Sequence, residues 1–331
     1  MKNIQEEITE VIENICEERA EDGGIRSVIW IGAGGSFAGF YPAQYFMEHE
    51  AKEIRSHAYT SNEFVFAPPS FCGRNTLAVV CSMRGTKETC EAARAAKELG
   101  AVTLSLYVDE SEMTRICDYN IKYESIAVDE SRTERVNSSI ALSIAMHLVE
   151  KTEGYQHFQD AMDAFEIVDD IYRKAVEYTT PLAEKWADQN KNEKVIYVMA
   201  SGPAMGSAYI FSICNLEEML QLDSPTINCC DFFHGPFEIL DKRTSVFILV
   251  SEGRVRPADD RAIRFLNTYG GEKIYLLDAK ELGINRIRDS VCEYFNHILF
   301  SPILNNVYMR KLSKAIQKDY STRRYMWKVE Y

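Results

Sequence analysis

Three short stretches of this sequence carry side chains able to act on a small anionic molecule. Gly32-Ala33-Gly34-Gly35-Ser36 follows an apolar run and leads into a helical one, so its backbone N–H groups and the Ser36 hydroxyl can face a phosphate. Cys81-Ser82-Met83-Arg84-Gly85-Thr86-Lys87-Glu88-Thr89 is a second such turn, offering the hydroxyls of Ser82, Thr86 and Thr89 around Gly85. The third stretch holds Glu217-Glu218 on a predicted helix and His234-Gly235-Pro236 beyond the following strand. A carboxylate can move a proton between neighbouring carbons, and an imidazole carries one near neutral pH. Plainer roles compete at each position. The glycine turn can be a tight strand-to-helix connection, Ser82 and Thr86 helix caps, Glu218 a solvated charge and His234 a helix-start residue. A dinucleotide fingerprint fits less well, because Phe37 stands where G-x-G-x-x-G needs its third glycine. The strand near Ile54–Tyr59 also ends without a ribose-binding carboxylate.

The elements that must hold these stretches follow from hydrophobic patterning. Short β-rich apolar runs alternate with longer helical ones, which predicts parallel sheets flanked by helices. The strands expected are Ser27–Gly32, Thr76–Cys81, Val102–Val108 and Ile121–Ser125, then Lys194–Ala200, Ser245–Val250, Lys273–Leu277 and Tyr294–Phe300. The second set repeats the first. Val28 and Val195 lie 167 residues apart and Ser82 and Ser251 lie 169 apart, a near-constant offset that argues for duplication. Between the copies, residues 155–191 read as helical, with Phe158, Met162, Phe165, Val168 and Ile171 at helical spacing. The fold class expected is therefore α/β, with two tandem αβα sandwiches and long connecting helices. The boundaries are an N-terminal domain over 1–153, a helical connection over 154–192 and a C-terminal domain over 193–331.

A length of 331 residues suits two such domains better than one core. The formal net charge of -13 opposes nucleic acid and anionic membrane as partners, since no basic stripe offsets phosphate charge. A single small anion can still be held locally by amides and hydroxyls. The Glu-rich start lacks a secretory pattern and no apolar run is long enough to span a bilayer, so a cytoplasmic location is expected. Nine cysteines, without a CxxC pair, read as reduced thiols rather than a disulfide frame or a metal site, and no cofactor is called for.

Taken together in order, Gly34-Gly35-Ser36, Asn62-Glu63-Phe64, Ser82-x-x-Gly85-Thr86, Glu218 and His234-Gly235-Pro236 resemble the signatures of the sugar isomerase (SIS) family over nearly the whole chain. The resemblance implies two flavodoxin-like SIS domains and a phosphate site at Gly35, Ser36, Ser82, Gly85, Thr86 and Thr89. It also implies a homodimer or larger homo-oligomer with shared active sites. Glu218 and His234 lie 16 residues apart, matching the catalytic pair in the isomerase domain of glucosamine 6-phosphate synthase and selecting Glu218 over Glu217. The synthase's imine-forming lysine corresponds to Asn215, whose amide cannot form an imine. Amination by the synthase route is therefore not expected, nor is a glutaminase domain with its nucleophilic cysteine.

What remains resembles the deglycase branch, which cleaves 6-phosphorylated Amadori compounds such as fructoselysine 6-phosphate to glucose 6-phosphate and a free amine. In that reading the partner is a small phosphorylated sugar-amine, and His234 assists ring opening. The closing residues 321–331 resemble a family tail that folds over substrate. Two other readings stand beside it: an aldose–ketose isomerase or amino-sugar-phosphate deaminase/isomerase, and a non-catalytic sugar-phosphate sensor. The sequence leaves open which amine the substrate carries, and whether the sugar is of the fructosamine or glucosamine type.

Overall fold

Ser27–Gly32 is an unbroken run of buried residues, Ser-Val-Ile-Trp-Ile-Gly, whose branched and aromatic side chains suit a strand covered on both faces. A computed structural model describes residues 3 to 330 and places this strand, β1, near the middle of a parallel sheet. Its companions are β2 (Arg55–Thr60), β3 (Thr76–Cys81), β4 (Val102–Tyr107) and β5 (Tyr119–Lys122), in the order β2-β1-β3-β4-β5. Every pairing is parallel. The helix Lys87–Glu98 buries Ala92, Ala93 and Ala96 with Ile29, Ile31, Ala78 and Val80 of the sheet. The opening helix Ile4–Arg19 buries Ile4, Ile8, Ile12 and Ile15, one helical stripe, and packs with the helix Asn137–Glu153.

The chain divides into two compact units, Met1–Glu166 and Ile167–Tyr331. The second holds its own parallel sheet of β6 (Tyr197–Ala200), β7 (Thr226–Asn228), β8 (Val246–Val250) and β9 (Ile274–Asp278), ordered β7-β6-β8-β9. This repeats the first four positions of the other sheet. Met199, Val246 and Ile248 join Ala262, Leu266 and Phe232 in one buried cluster. Trp186, Phe211, Phe247 and Tyr308 form an aromatic group, with the Trp186 and Phe247 ring centroids 5.2 Å apart and edge-on. The division falls inside the helix Phe158–Asn190, which tolerates Pro181. Just ahead of it, the Thr179 and Thr180 hydroxyls donate to the carbonyls of Ala175 and Val176.

The structure corrects the strand expected at Tyr294–Phe300. Cys292–Phe295 is a 3-10 turn and Asn296–Ile303 an α-helix, so the second sheet has four strands among the described residues. All seven positions are buried, so periodicity could not separate a buried strand from a buried helix. Side chains decide it locally. Asn296 Nδ2 donates to the carbonyls of Glu252 and Glu293, and His297 meets Ser301 one turn on. The edge strand β5 also begins two residues earlier than the expected Ile121 and stops at Lys122.

Burial pushes the His297 imidazole down to about 3, with Ser207 Oγ 3.1 Å from Nδ1 and Ser301 Oγ 3.2 Å from Nε2. The fold therefore holds it neutral, whereas the unfolded chain takes up a proton below about 6.5. The stability from neutral His297 is complete above that value and is lost as pH falls toward 3. His297→Gln is expected to flatten the acid-side decline of the melting temperature. A decline as steep as that of the parent protein would contradict the assignment.

Candidate active site

Both hydroxyl-rich turns belong to the first unit and leave from neighbouring strands. β1 and β3 pair directly, Ile31 opposite Val80, so their C-terminal ends lie side by side at the reversal of strand order, where α/β sheets take ligands. After β1 the chain turns back sharply. A Cβ at Gly32 would meet the Phe37 backbone nitrogen at 2.8 Å, and Gly34 has φ 54°, so both positions favour glycine. Gly35–Ala38 then forms a short helical turn that presents Ser36, half-buried, against the Cys81 thiol and the Tyr123 hydroxyl. Burial pushes the Cys81 thiol up to about 11, which keeps it protonated and unreactive.

The turn after β3 is held by its own hydroxyls. Ser82 Oγ accepts from the Thr86 amide at 3.1 Å, Thr86 Oγ1 lies 3.0 Å from Thr89 Oγ1, and Thr89 Oγ1 lies 2.9 Å from Ser61 Oγ. Thr86 is exposed at the start of the helix, whereas Ser82, Thr89 and Ser61 are buried behind it. The string brings Ser82, Thr86 and Thr89 together and adds Ser61, which the sequence reading did not single out. Its signal was its place immediately before Asn62-Glu63-Phe64, directly after a strand. Glu63 of that triplet caps its own helix: the Thr60 hydroxyl and amide both donate to its carboxylate, which holds it below the usual range.

Glu218 and His234 both lie in the second unit. Glu218 sits on Phe211–Leu220, a stretch of π-helix, a geometry often found where a helix carries function. Asn215 on the same stretch is buried and donates to Asn305 Oδ1 at 2.8 Å, so the position likened to an imine-forming lysine here bonds one helix to another. Glu218 is half-buried and lines a cavity of about 530 Å³ with Glu217, Gln221, Asp223 and Arg323 to Met326 of the C-terminal tail. Arg323 Nε donates to Glu218 Oε1 at 2.6 Å.

His234 follows β7 on a tight turn, its amide donating to the Asp231 carbonyl at 3.0 Å. Phe232, Phe233 and Phe237 root this turn on Phe265, and the Arg261 guanidinium lies 4.1 Å from the Phe233 ring centroid. The imidazole is exposed, bonds to no described residue and does not line the Glu218 cavity. The unit thus carries both groups without joining them. Among the described residues no group of three or more His, Cys, Asp or Glu side chains is placed to hold a metal ion, and no helix is long and apolar enough to cross a membrane.

Gly85 tests the backbone of the second turn. It has φ 67°, and an added Cβ would collide with the Ser111 side chain. Gly85→Ala is expected to cost about 1–2 kcal/mol in urea unfolding from the left-handed conformation alone, with the collision adding to it. A variant as stable as the parent would show that the turn does not need this geometry.

Comparison with known proteins places the chain. No family model matches it. A Bacillus subtilis (strain 168) protein named fructosamine deglycase FrlB is 34% identical over 309 residues, 93% of either chain. A solved Salmonella typhimurium LT2 structure, described as a candidate phosphosugar isomerase, superposes with a TM-score of 0.95 at 38% identity, covering 100% of both chains. The C-terminal domain of glucosamine-fructose-6-phosphate aminotransferase from Francisella tularensis shares the fold, with a TM-score of 0.77 at 13% identity over 96% of this chain and 98% of that one. The chain belongs to the sugar isomerase family and is an enzyme of the fructosamine deglycase type.

Proposed function

We propose that the protein cleaves a 6-phosphorylated fructosamine, an Amadori compound, to glucose 6-phosphate and a free amine or amino acid. The observation that carries this reading is the half-buried Glu218 carboxylate, which opens on a cavity beside a buried amide at 215 instead of an amine. A carboxylate without a neighbouring nucleophilic lysine suits proton transfer rather than imine capture. The family relationship to a protein named as a fructosamine deglycase supports the same chemistry.

Gly35, Ser36, Ser82, Gly85, Thr86 and Thr89 hold the phosphate ester, with Thr86 and Ser36 presenting hydroxyls and the buried Ser82, Thr89 and Ser61 fixing the turn behind them. His234 carries the proton that opens the sugar ring; its exposure leaves it available to a second copy of the chain in a homodimer. Glu218 removes a proton from C1 of the open ketoamine, and the electron pair moves through C1–C2 onto the carbonyl oxygen, which takes a proton from solvent to give an enaminol. Glu218 returns the proton to C2 as the nitrogen lone pair moves in, which leaves a protonated imine at C1. Water adds to that imine, the C–N bond breaks, and the aldose phosphate and the protonated amine depart. Both transfers use one carboxylate, so C1 and C2 must stay in register with it.

Incubation with 6-phosphorylated fructosamines should release glucose 6-phosphate and amine in equal amounts. Glu218→Gln should reduce that turnover by about 10²–10⁴-fold. Ketose phosphate formed without amine would favour an isomerase, and full activity in the Gln variant would remove Glu218 from the chemistry.

A further inference from the structure

The C-terminal tail supplies a side chain that fixes the candidate base. Building on the assignment of Glu218, the geometry points to Arg323 as its positioning residue, holding one carboxylate oxygen so that the other faces substrate.

The pair is built in, not a chance surface contact. The Arg323 side chain is 9% exposed and the Glu218 side chain 24%. Arg323 uses its fork on both sides: Nε donates to Glu218 Oε1 at 2.6 Å, while Nη1 donates to the carbonyls of Tyr320 and Thr322 at 2.7 and 3.1 Å. A lysine ammonium could not span a carboxylate and two carbonyls in one plane. The Trp327 ring centroid lies 5.6 Å from the guanidinium carbon, and Lys328 Nζ donates to the Arg323 carbonyl at 2.5 Å. Glu218 Oε2 has no partner among the described residues, although its side chain lines the cavity. One oxygen is therefore tied and the other available for a proton.

The chain leading into the tail has a second tie besides this guanidinium. Lys318 Nζ donates to Gln221 Oε1 at 2.6 Å, and Ser313 Oγ donates to the Lys318 carbonyl. Gln221 lies one helical turn beyond Glu218, so the tail is tied to the same stretch twice, once by a neutral acceptor and once by the base. Only the second tie bears on proton transfer. A carboxylate free to change rotamer would lose its register with C1 and C2.

The test compares the full-length parent protein with Arg323→Ala and Arg323→Lys on a 6-phosphorylated fructosamine. Arg323→Ala is expected to lower kcat by about 10- to 100-fold with KM changed less than about twofold. Arg323→Lys should be intermediate, and added guanidinium should restore part of the lost kcat where equal potassium chloride does not. Lys318→Ala, which loosens the tail and leaves the pair, should keep kcat. Unchanged kcat in Arg323→Ala, or a loss confined to KM, would overturn the proposal. So would a loss that guanidinium fails to relieve or that Lys318→Ala reproduces, because each marks general docking of the tail. An inactive parent protein would instead defeat the proposed function itself.

Discussion

A parallel sheet delivers every strand end to one edge, and a 2-1-3 order sets the ends of the first and third strands beside each other. The candidate phosphate site depends on that constraint. The first turn carries no charged side chain; in the second, Arg84 is paired with Asp109 on the surface and Lys87 stands beside Glu88 at the start of the helix. What the turns offer is shape and hydroxyls. Gly32 lets the chain fold back against Phe37, Gly85 adopts a conformation few other residues accept, and Ser82, Thr86, Thr89 and Ser61 bond to each other before any ligand arrives. A string preformed in this way loses little order on binding, which suits a site that must accept and release an ester within a net acidic protein.

The second unit reuses the same topology for a different purpose. There the equivalent of the second turn is Ser251-Glu252-Gly253, and the Ser251 amide donates to the buried Asp259 carboxylate at 2.9 Å. Burial raises that carboxyl above its usual range, yet it still accepts at the strand edge where the first unit keeps hydroxyls. The candidate acid–base groups of this unit, Glu218 and His234, sit instead on the π-helical stretch and on the turn after β7. A π-helix shifts register relative to an α-helix, so Glu218 faces the tail and its cavity while Asn215 turns inward to Asn305.

Much of this was legible in the sequence because it is local. Apolar runs of five or six residues bounded by glycine or polar clusters marked β1, β3, β4, β8 and β9 to within a residue or two at either end. The two glycine- and hydroxyl-bearing turns fall where the sequence placed them, after β1 and β3. Tyr294–Phe300 failed for a physical reason: the buried run continues through His-Ile-Leu-Phe-Ser-Pro-Ile-Leu to Asn305, longer than a strand of this sheet. Ser61 was missed because its partner, Thr89, is 28 residues away. The Arg323–Glu218 pair spans 105 residues, and no local spacing announces such a contact.

The central claim is that one fixed carboxylate carries a proton from C1 to C2 before the carbon–nitrogen bond breaks. Turnover of a 6-phosphorylated fructosamine in deuterium oxide, followed by NMR of the sugar phosphate, tests it most directly. Glucose 6-phosphate is expected with deuterium gained only at C2, to the extent that the carboxyl proton exchanges with solvent, and any remaining C2 hydrogen inherited from C1. Fructose 6-phosphate as the first product, with both C1 hydrogens retained, would contradict it.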